Sequence, residues 1–336
     1  MPIFSQVIYS PEFFEVNMQI FKSLEEVPKN QPVSLAIGNF DGVHLGHAKI
    51  INACKGRNSR LAILTFDIHP RAFLYPDFAP ELLTLQREKY TFFKALGIDF
   101  VIELPFSRYF SMEPTAFLDL LQKNMKLEAL TIGFNFFFGK NQKGNADLAF
   151  WWGRSASVKI NVVQPFMKNG MRVSSTAIRE LVLAGHIAQA NSFSSFPFVI
   201  SGEVKTGKKI GRTLNFPTIN LETPPKIIPT DGVYLSQTVL DGHNYLSLTN
   251  IGNNPTIDRE SNQKVIETWV DSTGIGELYG RNVTIYLLKR IRSEIRFSSK
   301  EKLAEMIAKD KAEIDIYKKS NKIKELPEVI MDSSFI

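Results

Sequence analysis

Between Val33 and Arg179, short apolar runs rich in strand formers alternate with segments whose apolar residues recur at helical spacing. The runs VSLAIGNF (from Val33), LAILTF (61–66), DFVIELPF (99–106), LEALTIGF (127–134) and VKINVV (158–163) read as strands. GHAKIINACKG, LQREKYTFFKALG (85–97) and EPTAFLDLLQKNM (113–125) read as helices, and a further helix begins near Ser174. Few folds accept this order: it implies βαβ units and a parallel sheet covered on both faces. Such sheets bind ligands where the carboxyl ends of strands lead into helices. The stretch IGNFDGVHLGH (37–47) stands at such a place, after the first strand.

The pattern changes near Phe193. FSSFPFVISGEV leads into β-type sequence, and FVISGEV, GVYLSQTVL, NYLSLTNIG, KVIETWV and NVTIYLLKRI are short strands separated by Gly, Asn, Pro and Asp turns. This spacing suggests a small antiparallel barrel. A last helical pattern, 298–319, opens with serines suited to capping. Two domains are expected, residues 1–193 and 194–336, in keeping with ~150 residues per domain for a chain of 336.

Composition narrows the function classes. The net charge of +6 suits anionic ligands such as nucleotides, but no dense Lys/Arg tract argues for DNA or RNA. Cys54 is the only cysteine, so no internal disulfide forms and a reducing compartment is expected. The first residues show no basic region followed by an apolar run, and no stretch reaches the ~18 apolar residues of a membrane helix. The expectation is a cytoplasmic protein with no membrane or nucleic-acid partner; oligomeric state is not legible.

The candidate chemistry starts from the Gly-rich turn. Gly38 and Gly42 let backbone N–H groups approach a phosphate, and the following helix start adds partial positive charge. His44 and His47 are three apart, so both can face one ligand and donate to charge developing on a transferring phosphate. Gly46 between them leaves room for an adenine or ribose. An isolated His-x-Gly-His is equally read as helix-capping or core histidines. GFNFFFGKNQKGN (133–145) follows a strand as a ligand loop would, with Asn135 placed to read a base or ring edge. Ser174, Ser175 and Thr176 at a helix start, with Arg172 and Arg179 near, form a second phosphate site or an ordinary cap. In the second half, Thr218 and Asn220 offer two neutral oxygens on one face of an extended chain, either for Mg²⁺ or for a structural turn. Glu267, within an otherwise β-forming strand, is either an edge-facing polar residue or a general base.

GNFDGVHLGH, TFDIHPR, GFNFFFGKNQKGN and VSSTAIR resemble the four motifs of the flavin adenylyltransferase module. GEVKTGKKIGRTLNFPTINL, DGVYL, NIGNNPT and ELYG resemble the riboflavin kinase module that follows it in the bacterial bifunctional riboflavin kinase/FAD synthetase family. The resemblance covers nearly the whole chain, in the family's order. It implies a Rossmann-like nucleotidyltransferase domain with a parallel sheet, then a kinase-type β-barrel with a terminal helix. It implies that riboflavin is phosphorylated with ATP to FMN, and that FMN is adenylylated with a second ATP to FAD, with Mg²⁺ accompanying ATP. His44 and His47 would stabilise phosphate charge, and Gly38, Asn39, Phe40, Asp41 and Gly42 would hold ATP. Ser174, Ser175, Thr176 and Arg179 would grip the pyrophosphate end, and Asn135 would line the nucleotide and flavin site. In the barrel, Gly207, Lys208, Lys209 and Gly211 would cover the phosphates, Asn254 would join the ligand-binding residues, Thr218 and Asn220 would hold the metal, and Glu267 would be the base.

The chain departs from the family pattern at Ile68, where proline is usual, at Asn215 for glycine, at Asn254 for arginine and at Trp269 for histidine. None touches Thr218, Asn220 or Glu267 in the sequence. The competing readings are another His-x-Gly-His nucleotidyltransferase, an adenylyltransferase with a degenerate kinase half, and a nucleic-acid-binding barrel. The last would need a basic aromatic stripe, which the scattered Lys and Arg do not form.

Overall fold

The computed structural model describes residues 18–56, 58–206, 218–253, 264–272, 277–295, 299–321 and 323–329. The chain divides into two compact units. Among the described residues, one takes the chain up to Glu81 with Phe92–Ser174, and the other takes Leu82–Thr91 with the chain from Ser175 onward.

The first unit contains β1 (Gln19–Phe21), β2 (Pro32–Ile37), α1 (Leu45–Cys54), β3 (Arg60–Phe66), α2 (Pro70–Leu74) and the last turn of α3 (Gln86–Ala95). It continues with β4 (Phe100–Leu104), α4 (Phe106–Tyr109), α5 (Pro114–Asn124), β5 (Lys126–Gly133), α6 (Ala146–Ala156), β6 (Lys159–Val163) and the hairpin β7 (Met167–Lys168) and β8 (Met171–Arg172). Strands β1-β4-β3-β2-β5-β6 form one sheet in that order, and every neighbouring pair is parallel. In β2 every residue after Pro32 is buried, the mark of a strand covered on both faces. On one face Leu35 and Ile37 pack with Leu64, Ile102 and Leu104 against Phe117 and Leu121 of α5 and Trp152 of α6. From β2 the chain steps outward to β3 and β4, then returns to place β5 on the other side of β2. The gap between β2 and β5 is therefore the switch point where parallel sheets bind ligands.

The expected strands and helices are present, and further elements come in addition, among them β1, α2, α4, α6 and the hairpin β7–β8. Strand β1 has only three residues, too few for a pattern. Helix α6 starts at Asn145, whose side chain accepts the Leu148 N–H at 2.9 Å, but Phe150 and Trp151 are exposed and blur its amphipathic signal.

The second unit holds α7 (Ser175–Leu183), α8 (Ile187–Phe193), β9 (Phe198–Lys205), β10 (Thr218–Leu221), β11 (Gly232–Leu240), β12 (His243–Asn253), β13 (Lys264–Val270), β14 (Asn282–Arg292) and α9 (Lys300–Ser320). The six strands close an antiparallel barrel in the order β10-β13-β12-β11-β14-β9, one strand more than the five runs read from sequence. The hairpin from β11 to β12 turns on Asp241 and Gly242, both at positive φ, as a two-residue turn of this hand requires. Inside, hydroxyls bond one another: Ser236 to Ser247 and to Thr249 at 2.8 Å, and Thr249 to Thr268 at 2.9 Å. Outside, Leu235, Leu246, Leu248 and Leu288 pack against Ile314 of α9. Ser299 caps α9 by accepting the Lys302 N–H, and Arg292 clamps the buried Asp310 with bonds of 2.7 and 3.0 Å.

Candidate active sites

The first site grows from the end of β2. The Gly38 N–H donates to the Leu64 carbonyl at 3.1 Å, and the chain then turns sharply. Phe40 (φ 53°), Gly42 (φ 79°) and Val43 (φ 36°) take left-handed conformations. Gly42 does so freely; Phe40 and the β-branched Val43 are strained, typically by ~1–3 kcal/mol each. Complete burial of both side chains holds them there. The Phe40 ring meets His47 and Phe93 edge-on, at 5.2 and 5.6 Å. Asp41 in the same turn is also buried.

His44 is the N-cap of α1: its Nδ1 accepts the His47 N–H at 3.2 Å. The two imidazoles stack with centroids 3.6 Å apart, so the three-residue spacing does bring them together. A Cβ on Gly46 would stand 3.0 Å from His44 Cε1. The His44 ring thus stands against Gly46 on the side where a Cβ would point. Burial, with added repulsion from Arg172, holds the His44 pKa down at about 3. His44 is therefore neutral at ordinary pH. With Nδ1 accepting, its proton sits on Nε2, which is a donor for a phosphate oxygen.

Across the switch point, Phe134 and Asn135 follow β5 directly and both are exposed. The Arg172 guanidinium, at the end of β8, lies 4.8 Å from the Phe134 ring centroid. The unit therefore gathers a histidine-capped helix start, a guanidinium and an open aromatic–amide loop at the carboxyl ends of two neighbouring strands. Ser174 closes this unit. Ser175, Thr176 and Arg179 open the other unit on the first turns of α7, Thr176 exposed and the other two half-buried.

The second site lies on the barrel. Strand register sets Asn220 directly opposite Glu267 and Thr218 opposite Trp269. Cross-strand partners share a face, and this face is the outside: Trp269 packs beside Leu248 and Ile314, whereas Thr268 points inward to Thr249. Thr218, Asn220 and Glu267, scattered over fifty positions, thus come together as hard oxygen donors, a set that fits Mg²⁺ with its few protein ligands. From β12, Asn250 stands opposite Glu267 on the other side. Sequence reading does not single it out, because inside NYLSLTNIG it reads as one more strand residue; only the register exposes it. Lys311 of α9 stands 4.4 Å over the Trp269 ring. Gly207, Lys208, Lys209, Gly211, Asn215 and Asn254 lie outside the described residues.

The FAD synthetase family model matches residues 26–177, and the riboflavin kinase model matches residues 194–317. Over 295 residues the chain is 34% identical to the bifunctional riboflavin kinase/FMN adenylyltransferase of Escherichia coli strain K12, covering 86% of this chain and 93% of that protein. The chain belongs to the bifunctional riboflavin kinase/FMN adenylyltransferase family. The family member from Bacillus subtilis strain 168 is 33% identical over 292 residues, 83% of this chain and 90% of that protein. Among solved structures, a Streptococcus pneumoniae protein described as a macrolide-efflux protein shares the fold, with a TM-score of 0.78 at 24% identity over 88% of this chain and 97% of that one. Among the described residues no helix is long and apolar enough to cross a membrane.

Two departures from the riboflavin kinase/FMN adenylyltransferase pattern have physical accounts. The Ile68 N–H donates to Asp67 Oδ1 at 2.8 Å, a bond the usual proline lacks, and the same oxygen accepts the Phe106 N–H at 2.9 Å. That turn is held by two hydrogen bonds to Asp67 Oδ1. His69 then caps α2, accepting the Arg71 N–H at 3.2 Å. Trp269, in place of histidine, extends the apolar contact between β13 and α9.

Proposed function

We infer that the chain makes FAD from riboflavin in two steps at two separate sites. On the barrel, the riboflavin 5′-hydroxyl attacks the γ-phosphorus of ATP, its proton passes to the Glu267 carboxylate, and ADP leaves with FMN as the product. On the sheet unit, a phosphate oxygen of FMN attacks the α-phosphorus of a second ATP, the α–β bridge bond breaks, and pyrophosphate leaves with FAD as the product. His44 and His47 donate to the phosphate oxygens as charge builds, and the Gly38–Gly42 turn, with Asn39, Phe40 and Asp41, seats the ATP. Ser174, Ser175, Thr176 and Arg179 hold the pyrophosphate portion, and Asn135 lines the flavin and nucleotide. Magnesium entering with ATP neutralises phosphate charge when bound, and Thr218 and Asn220 are the residues that would hold it on the barrel. Gly207, Lys208, Lys209, Gly211 and Asn254 complete the kinase's ligand contacts. The two functions divide between residues 1–193 and 194–336, in a cytoplasmic protein that acts on small molecules.

For the kinase half, the observation that carries the reading is the register that sets Glu267 against Asn220, with Thr218 two residues away on the same face. A base and two metal oxygens in one row are what phosphoryl transfer to an alcohol requires, and a degenerate kinase domain would have no reason to keep them. The test is Glu267→Gln, which keeps shape and removes the basic oxygen. Riboflavin and ATP should still bind while FMN formation is lost, so the deficit lies in turnover. Normal turnover would make Glu267 structural.

A further inference from the structure

Strand β13 divides the outer face of the barrel into two sides. On one side β10 sets Thr218 opposite Trp269 and Asn220 opposite Glu267. On the other side β12 sets Leu248 opposite Trp269, and α9 lies over it, with Ile314 packed among Leu246 and Leu248. The half-buried Trp269 packs against that cluster, and Lys311 Nζ of α9 lies 4.4 Å over its ring. Two residues past Trp269, Asp271 accepts from Lys318 of α9 at 2.6 Å. The helix is therefore tied along this side of β13 at two points, and the indole is held beside Glu267 by packing.

In phosphoryl transfer the attacking and leaving oxygens lie roughly in line across the phosphorus. With metal and nucleotide on the β10 side of Glu267, the alcohol comes from the side of α9. Trp269 follows Glu267 by two residues on the same face, about 6.5 Å along the strand. An extended ribityl chain covers about that span between its 5′-hydroxyl and the flavin ring, so a hydroxyl at Glu267 brings the ring to the indole. Two flat aromatic systems stack in an offset arrangement. An ammonium over a partly exposed indole is held weakly and on a flexible stem, so an incoming ring can displace it. We propose that Trp269 seats the isoalloxazine ring of riboflavin by stacking, while Lys311 gives way and donates to the carbonyl oxygens at the ring's pyrimidine edge. Trp269, where the family pattern has histidine, is then a specificity-determining residue for the kinase step. This rests on riboflavin phosphorylation at Glu267.

The full-length chain tests it through the split between kcat and KM for riboflavin phosphorylation. Trp269→Leu keeps an apolar side chain against Leu248 and Ile314 but removes the aromatic surface. It should raise KM for riboflavin about tenfold, with kcat and KM for ATP within about twofold. Trp269→Phe should recover most of that loss, which guards against misfolding of the leucine variant. Lys311→Met should raise KM for riboflavin about fivefold, the worth of a hydrogen bond from a charged donor, again with KM for ATP unchanged. A stacked indole quenches flavin fluorescence and a phenyl ring does so far less. At saturating riboflavin the parent should therefore quench more than Trp269→Phe. Parent KM for riboflavin in Trp269→Leu, equal quenching in parent and Trp269→Phe, or losses confined to kcat or to KM for ATP would overturn the proposal. An inactive Glu267→Gln would in that case still support the base. A fully active Glu267→Gln would fail the base assignment, and this inference with it.

Discussion

His44 does two things with one ring. Its Nδ1 satisfies an orphan N–H of α1, and that bond fixes the tautomer whose Nε2–H is proposed to meet a phosphate. Substituting His44 or His47 by alanine should therefore cost ~10²–10³ in FAD formation from FMN, the usual loss for one preorganised donor, with riboflavin phosphorylation unchanged; rates on the two substrates check this. Burial also makes His44 a stability sensor. Its folded pKa of about 3 lies below the unfolded value of 6.5, so the unfolded chain binds the extra proton between those pH values. Stability is therefore lost as pH falls from about 6.5 toward 3, by up to about 5 kcal/mol from this group. In His44→Gln, urea midpoints measured across that range should fall less steeply with acid than in the parent. The histidine pair was legible in sequence because spacing alone fixes which side chains meet on a helix. Asn250 was not, because strand neighbours depend on register, which sequence leaves open. The close approach of the His44 ring to Gly46 was equally hidden, since it depends on which way one ring folds.

At the scale of elements, the segment Leu82–Thr91 is the part of the fold least visible in sequence. It lies between β3 and β4 in the chain, yet it belongs to the barrel unit. Glu88, fully buried, accepts from Lys226 Nζ and from Ser201 Oγ, each at 2.7 Å, and from the Leu85 N–H at 2.8 Å. Lys226 donates further to the Val199 carbonyl at 2.8 Å. In LQREKYTFFKALG the periodicity marks a helix but gives no sign that a glutamate in its first turn pairs with a lysine far along the chain. Breaking a buried pair from one side strands a charge and costs ~3–5 kcal/mol, whereas replacing both partners by apolar groups is often near neutral. Lys226→Met alone should markedly lower the temperature at which riboflavin phosphorylation is lost, and Glu88→Leu added to it should restore most of that loss. Equal losses in the single and double variants would show that the pair contributes packing and no charge compensation.

For the whole molecule, the alternation of strands and helices before Phe193 and the short strands after it made both fold classes legible, because hydrophobic period reports the kind of layer being built. Where the compact units meet along the chain was not legible, since α7, α8 and Leu82–Thr91 join the barrel unit through packing between distant residues. The proposed division at 193/194 meets that fact in a fragment experiment. A fragment ending near Ser195 keeps all six parallel strands and should convert FMN, but not riboflavin, into FAD. The complementary fragment should stop at FMN, yet it lacks Glu88 and leaves Lys226 buried without its carboxylate. There Lys226→Met should stabilise the fragment, the reverse of its effect in the full chain.

The central claim is two sites for two consecutive steps, and flavin chromatography of two full-length variants tests it. With riboflavin, ATP and Mg²⁺, His44→Ala should accumulate FMN and make little FAD, while Glu267→Gln should leave riboflavin unchanged. With FMN in place of riboflavin, Glu267→Gln should make FAD at the parent rate and His44→Ala should not. FAD formed from FMN at the parent rate by His44→Ala, or loss of both steps in either variant alone, would contradict the assignment of one step to each site.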